Sequence, residues 1–509
     1  MALARLLSRG LTGLDAYEVT VEVHLSGGLP GFGITGLPTT SVRESKDRVR
    51  AALETTGYRM PPSRITVHLG PAEIPKDGGR FDLAIALGIV MAHHNMPWAL
   101  DDVEFMGELA LNGDLRGVTG ALPSVLAAHE AGRQMILPRA NSREAGLAAA
   151  ANVLAATKLE EVIHHLNGTS TLPRVAPTEL RHTPAHGEDL SDVRGQAGAK
   201  RALVVAAAGG HNLLLIGPPG SGKSMLARRL RGILPPLSVT ERLNLASLAS
   251  LKGDVAHLIQ SDQAPFRAPH HTVSAQALVG GGGKPRPGEV SLAHGGVLFL
   301  DELPEFSRAA LEALREPLET RRVRISRVRE QVSFPADFQL VGAMNPCPCG
   351  FHGDGTDRCT CTPPRVAGYR NRISGPMLDR FDLHVEMPRV RFADLTGARG
   401  GGESPRWRTA VQRAREIQVA RAGTLNSRLS DEALWKTTTL DEAGETLLRQ
   451  AARRWRLSAR STVRLLRTAR TIADLDHTAR VESRHVAESI QLRCLDRPDP
   501  ALPNASIAL

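Results

Sequence analysis

The sequence predicts a multidomain α/β protein in three parts: a mixed α/β N-terminal domain, an α/β core around a glycine-rich loop, and a helical C-terminal domain. Three observations carry this. At 509 residues the chain is too long for one core, and at ~150 residues per domain its length suits about three. A glycine-rich run, Gly217 to Ser224, stands between an apolar strand pattern and a helical one. From about residue 400 the chain is arginine-rich and helix-patterned, with almost no β signal before the proline-rich tail at Pro498 to Pro503.

Composition narrows the class. Hydrophobic residues at 42% and charged residues at 23% are ordinary for a globular protein and exclude global disorder. Aromatics at 4% argue against a recognition surface built mainly of stacked rings. The net charge is +10, yet residues 1–190 carry 17 basic and 21 acidic groups, residues 191–400 carry 27 and 19, and residues 401–509 carry 19 and 13. A polyanionic partner would therefore bind beyond residue 190. No stretch approaches the ~20 apolar residues of a membrane span. Met1 to Leu11 has no continuous apolar core or cleavage site, so no export signal is read. Five cysteines are too few for a disulfide scaffold, and a cytoplasmic location is expected.

In chain order, Tyr17 to Leu25 alternates with the period of two that marks a half-buried strand. A helical pattern runs from Ser41 to Thr56 and stops at Gly57. A second alternating strand, Ile65 to Leu69, leads into an apolar helix near Asp82 to Met91, and strand-like pieces follow at Val103 to Leu111 and Gln134 to Leu137. A segment rich in Pro, Thr and His, Leu172 to Gly187, reads as a linker. Beyond it come a helix, Lys200 to Ala208, and a buried strand, His211 to Ile216.

Gly217-Pro218-Pro219-Gly220-Ser221-Gly222-Lys223-Ser224 then fits G-x-x-x-x-G-K-S, following a strand and opening a helix as the motif requires. Its glycines let backbone N–H groups close around the β-phosphate of ATP, Lys223 reaches the β/γ oxygens, and Ser224 can ligate Mg²⁺. Further on, Gly296-Val-Leu-Phe-Leu-Asp301-Glu302 is an apolar strand ending in two carboxylates. Asp301 would complete the Mg²⁺ shell and Glu302 would polarise the attacking water. These two motifs together make the protein an ATPase. A third strand, Phe338 to Asn345, ends in a polar residue able to orient the same water. Leu378-Asp-Arg380-Phe-Asp382 reads either as a surface salt bridge or as an arginine acting on the ATP of a neighbouring subunit. Arg460, opening a C-terminal helix, is a candidate for the γ-phosphate.

Four of the five cysteines fall in one short run. Cys347-Pro-Cys349 and Cys359-Thr-Cys361 supply the four thiolates of a structural Zn²⁺ site, with His352 inside the loop as a possible substitute. Unliganded thiols on a surface loop are the alternative. Arg321-Arg322-Val-Arg324-Ile-Ser-Arg327-Val-Arg329 begins with strand alternation, and Glu330 to Phe334 could return as the second arm of a hairpin. That hairpin either touches DNA phosphates or is simply an exposed charged surface. Lys284 and Arg286, in Gly280-Gly-Gly-Gly-Lys284-Pro-Arg286, form a second flexible basic candidate. His270 and His271 are read as loop residues able to contact nucleic acid.

The order of these motifs resembles an AAA+ ATPase, and within it the group containing magnesium chelatase ATPase subunits and the ComM/YifB proteins. The resemblance spans essentially the whole chain. Its most specific stretches are Phe266 to Thr272, Arg286 to His294, Asp301 to Phe306, Asn345 to Gly350 and Ile373 to Arg380. It implies an AAA+ P-loop core (αβα) over residues 191–395, carrying the insert loop and the four-cysteine loop, and a helical lid over 396–509. It also implies a homo-hexamer with ATP at subunit interfaces. Lys223, Asp301, Glu302 and Asn345 would act from one subunit, Arg380 from its neighbour, and Arg460 as a second sensor. In this clade the hairpin points into the ring pore. ComM-like proteins are helicase-type motors that drive branch migration of single-stranded DNA into a duplex during transformation, which implies single-stranded or branched DNA and recombination proteins as partners. The alternative within the group is a protein-remodelling ATPase. Residues 1–172, ahead of a linker at 173–190, resemble the α+β proteolytic domain of Lon. There Pro75-Lys-Asp-Gly-Gly-Arg80 puts arginine where the nucleophilic serine would stand, and the expected lysine falls on Leu122. With neither nucleophile nor base, acyl-enzyme chemistry has no starting point, so the domain is expected to be a non-proteolytic scaffold.

Overall fold

The first strand is one that sequence periodicity hides. Ala2–Thr12 (β1) pairs antiparallel with Asp15–Ser26 (β2), from Ala2 opposite Leu25 to Thr12 opposite Asp15. Leu6, Leu7, Ser8 and Arg9 are all buried in succession. A strand covered on both faces shows no alternation, which is why scattered leucines at Met1 to Leu11 carried no strand signal. The computed structural model describes residues 2–179, 188–253, 255, 261–282, 285–326, 331–396 and 401–496. They divide into two units: Met1–His182 with Arg242–Asp262 and Ser326–Ser333, and Thr183–Glu241 with Gln263–Ile325 and Phe334–Leu509.

The first unit is built on a seven-stranded mixed sheet. Gly31–Thr35 (β3), Arg64–Gly70 (β4), Val103–Phe105 (β5), Gln134–Pro138 (β6) and Val153–Ala156 (β7) join the hairpin in the order β3-β4-β2-β1-β5-β6-β7. The helix Ser45–Thr55 matches the pattern that stops at Gly57, and Asp82–His94 matches the apolar helix. The latter is buried from Asp82 to Val90. Gly88 lets it lie against the sheet, since a Cβ there would stand 2.5 Å from Val23 Cγ2. At the sheet's centre, Arg9 donates to both carboxylate oxygens of Glu104 at 2.7 and 2.8 Å, and Glu104 also accepts from Arg133 at 3.0 Å. Within the stretch expected to be a linker, Val175 N–H donates to Val153 and Thr178 N–H to Gly146, while residues 180–187 lie outside the described residues.

The second unit holds a five-stranded sheet, every described pair of it parallel. Its strands are Leu213–Ile216 (β8), Phe266–Arg267 (β9), Val297–Leu300 (β10), Gln339–Met344 (β11) and Leu383–Glu386 (β12), in the order β9-β10-β11-β8-β12. Every residue of β8, β10 and β11 is buried, as continuous apolar runs in a parallel sheet covered on both faces should be. The C-terminal part is helical: Glu403–Ala422, Asp431–Thr437, Glu442–Arg454, Ala459–Leu475 and Ser483–Gln491. Leu429, Leu434, Leu448, Leu465, Leu466 and Val486 form its core. Arg421 and Arg470 both bond Asp474, which is 1% exposed. No helix among the described residues is long and apolar enough to cross a membrane.

Glu104→Gln should leave the Arg9 guanidinium buried without a counter-charge. The expected cost is about 3 kcal/mol, read as a lower denaturation midpoint for the first unit with nucleotide binding intact.

Candidate functional site

The site grows from the register of the parallel sheet. Ile216 stands level with Met344, and Leu300 with Gly342. The chain therefore leaves β8, β10 and β11 on the same edge, at the carboxyl ends where open α/β sheets bind ligands. Gly217 N–H still donates to Met344 at 3.2 Å before the loop turns away. Gly220 and Gly222 adopt φ of +77 and +91, and a Cβ on either would meet nothing within 4 Å. Glycine serves here for backbone conformation, and the loop is an open cradle. The Ser221 hydroxyl is 1% exposed and, among the described residues, has no hydrogen-bond partner. The helix Lys223–Ile233 starts at the end of this loop and points its free N–H groups toward it.

Inside the cradle the predicted residues meet. Lys223 Nζ donates to the carbonyls of Gly217 at 2.7 Å and Pro218 at 3.0 Å, and to Asn345 Oδ1 at 3.1 Å. Burial lowers its ammonium pKa, against the pull of Asp301 and Glu302. Ser224 Oγ donates to Asp301 Oδ2 at 2.5 Å, so the two oxygens expected to share Mg²⁺ are already adjacent. The glycine cradle, the unsatisfied Ser221 hydroxyl and this all-oxygen pair fit a Mg²⁺–nucleotide. Glu302 sits at φ +54, a left-handed conformation that is strained for a side chain of this kind. Its carboxylate is 3.3 Å from His271 Nδ1.

Arg380 and Arg460 are not among the groups bonded to the cradle. Arg380 is tied to Glu319, and its carbonyl accepts from Asn212 at 2.8 Å. The acids on either side of it are not its partners: Asp379 and Asp382 face Arg464 at 3.5 and 3.6 Å. Arg460 is exposed in the first turn of Ala459–Leu475. The basic hairpin forms from Arg322–Ser326 and Gln331–Pro335, with Arg322 and Arg324 exposed and Val323 and Ile325 buried. Arg321 precedes the strand at φ +56, with Asp337 at 3.9 Å. Arg327 and Lys284 lie outside the described residues, while Arg286 is exposed in a two-residue pairing with Gly280–Gly281. The sulfurs of Cys347, Cys349, Cys359 and Cys361 all lie within 4.8 Å of one another, a donor set that could hold one metal ion, and His352 is not among them.

In the first unit Arg80 is 7% exposed, and its guanidinium donates to the Thr119 carbonyl at 2.7 Å. Burial lowers its pKa to about 10. Leu122 is wholly buried in the apolar cluster around Val125 and Leu137.

Residues 21–141, 189–395 and 401–493 match families described as subunit ChlI of Mg-chelatase, magnesium chelatase subunit ChlI, and its C-terminal part. The competence protein ComM of Haemophilus influenzae is 46% identical over 503 residues, which cover 98% of each chain. The chain belongs to the ComM/YifB family. YifB of Escherichia coli is 45% identical over 511 residues, again 98% of each chain. Lon protease 2 of Bacillus subtilis is 35% identical over 102 residues, 19% of this chain and 18% of that one. The magnesium-chelatase-like domains of the family imply an AAA+ ATPase using ATP and Mg²⁺, and the parallel sheet and helical C-terminal region agree with that architecture.

Two contributors belong to neither nucleotide motif. Gln196, itself left-handed at φ +54, donates through Nε2 to the carbonyls of Ser221 at 3.2 Å and Pro388 at 2.6 Å. It pins the cradle from the start of the helix Ala197–Gly209. His271, read from sequence only as a loop residue, stands against Glu302. The left-handed φ of Gln196 leaves no mark in the local sequence, whereas His271 lies in the family-specific run Phe266 to Thr272.

Lys223→Ala should abolish nucleotide binding in a fluorescence titration. Gln196→Ala should weaken it about thirtyfold, the loss of two hydrogen bonds each worth ~1 kcal/mol.

Proposed function

We propose that the protein is an ATP-driven, ring-forming DNA motor of the helicase or branch-migration type, assembled as a homo-hexamer. The observation that carries the reading is a full-length likeness to a competence protein in a chain whose nucleotide-binding residues converge in one cradle. The core at 191–395 is the motor and 396–509 its lid. ATP and Mg²⁺ would be held by Gly217 to Ser224 and Asp301, and the triphosphate supplies the phosphoryl group whose hydrolysis drives the ring. Glu302 polarises the attacking water, Asn345 orients it, and His271 holds the Glu302 carboxylate in place.

Arg380 serves the neighbouring subunit's site once released from Glu319, and Arg460 reads the γ-phosphate. Two features support DNA as the partner. Basic charge is concentrated beyond residue 190, and Arg322 and Arg324 share the exposed face of the hairpin, with Arg321, Arg327, Lys284 and Arg286 as further phosphate contacts. The four cysteines hold a structural Zn²⁺. Residues 1–172 are a Lon-like scaffold without proteolysis, a reading supported by the buried arginine at position 80 and the core leucine at 122. Recombination proteins would deliver the DNA in the cytoplasm.

The deciding experiment measures ATP turnover with and without single-stranded and junction DNA, alongside strand exchange on a synthetic three-stranded junction. Turnover should rise several-fold with DNA, and its DNA affinity should fall steeply with salt. Absence of stimulation by either DNA would sink the motor reading and leave a protein-remodelling ATPase. Glu302→Gln should retain ATP and slow turnover by at least ~100-fold. Mixing Arg380→Ala with Glu302→Gln subunits should recover some turnover, and no recovery would refute action in trans.

A further inference from the structure

The chain between Asn345 and the helix Pro363–Arg370 closes on itself through sulfur. Cys347 and Cys349 follow β11, Cys359 and Cys361 precede the helix, and none is in a disulfide. The Sγ–Sγ separations are 3.3 Å for Cys347–Cys349, 3.7 Å for Cys349–Cys359 and 3.9 Å for Cys347–Cys359. Four sulfurs ~2.3 Å from one tetrahedral ion stand about 3.8 Å apart, so the spread is near what a single ion needs. Cys347 is fully buried, and the His352 N–H donates to its sulfur at 3.3 Å. Such donors orient and stabilise a thiolate ligand. Val366 of the helix packs into the same cluster.

Both ends of this loop are joined to the nucleotide cradle. Asn345, two residues before Cys347, accepts from Lys223 at 3.1 Å. The helix after Cys361 returns to the same place: the Tyr369 hydroxyl is held by the Asn345 backbone, and Arg370 Nε donates to the Pro346 carbonyl at 3.2 Å. Gly350, inside the loop, closes the circuit. It has φ +86, and a Cβ there would stand 2.6 Å from Pro219 Cδ and 3.8 Å from Asn345 Cγ. The cysteine loop therefore presses on the second proline of the phosphate loop while holding the residue that meets its lysine.

We infer that a thiophilic divalent cation, Zn²⁺, bound by Cys347, Cys349, Cys359 and Cys361, braces the nucleotide site, fixing Asn345 against Lys223 and Gly350 against Pro219 so that nucleotide affinity depends on metal occupancy. The inference rests on the zinc assignment proposed above and is independent of the DNA motor. The physical cause is conformational. Without the ion, the glycine-containing segment between the cysteine pairs must be ordered by weak contacts alone, and that entropic cost falls on every ligand that needs the ordered form.

The test uses the full chain purified without chelator, with zinc measured by elemental analysis and affinity for a fluorescent ATP analogue measured without DNA. Wild type should carry one zinc per chain. The Cys359→Ser/Cys361→Ser double variant should carry none and bind nucleotide at least tenfold more weakly. Wild type stripped of metal by a thiol-blocking mercurial should lose the same affinity and regain it when thiol and zinc are restored. Gly350→Ala should keep its zinc and still bind weakly, because it pushes the loop off Pro219. Wild type without zinc would overturn both the site and the brace. Zinc-free protein with wild-type nucleotide affinity would overturn the brace alone. If the double variant does not fold, Gly350→Ala decides, and full affinity with zinc retained would overturn the brace.

Discussion

The register of three parallel strands is the constraint on which the site depends. Ile216 level with Met344, and Leu300 with Gly342, bring Gly217, Asn345 and Asp301 out of one sheet edge. Strand order matters as much as register. The strand ending in Asn345 lies between the phosphate-loop strand and the strand bearing the acids, so Lys223 meets Asn345 directly while Ser224 reaches across to Asp301. A one-residue slip in a parallel sheet buried on both faces would strand polar groups in the core. Continuous burial thus enforces the register that the chemistry requires.

The first unit is held together by buried charge as well as by apolar packing. Its sheet is held by a buried cluster in which Glu104 takes two guanidinium groups, from Arg9 and Arg133. At position 80 the guanidinium is spent on the Thr119 carbonyl, an arrangement that fills space and binds the backbone but offers no nucleophile. The same unit takes in Arg242–Asp262 and Ser326–Ser333 from the middle of the chain. This interleaving does not follow from reading the chain in order, because compactness is set by contacts between distant segments.

Most of the α/β pattern was legible. The strands near Tyr17 to Leu25 and Ile65 to Leu69 and the helix from Asp82 appear within a few residues of where periodicity put them. Among the strands that periodicity missed, Ala2–Thr12 is buried on both faces and so lacks the alternation that betrays a surface strand, while Gly31–Thr35 and Val153–Ala156 are too short to show one. In the site, the glycine-rich loop and the paired carboxylates were legible because each is a contiguous string whose spacing the chemistry dictates. Gln196 and the pairing of His271 with Glu302 were not, since each depends on a backbone direction or a neighbour that no local spacing encodes.

The sequence by itself determined the residue types of a nucleotide site, four clustered thiols, a run of arginines able to fold back as a hairpin, and an arginine and a leucine at positions 80 and 122. Each is a local statement about composition and spacing. Tertiary structure alone decided the partners. Arg380 goes to Glu319 while Arg464 takes Asp379 and Asp382, and Gly350 rests on Pro219. These pairs are joined through the parallel sheet and the packing around it rather than along the chain. Geometry built from long-range contacts is what turned a list of candidate residues into a site.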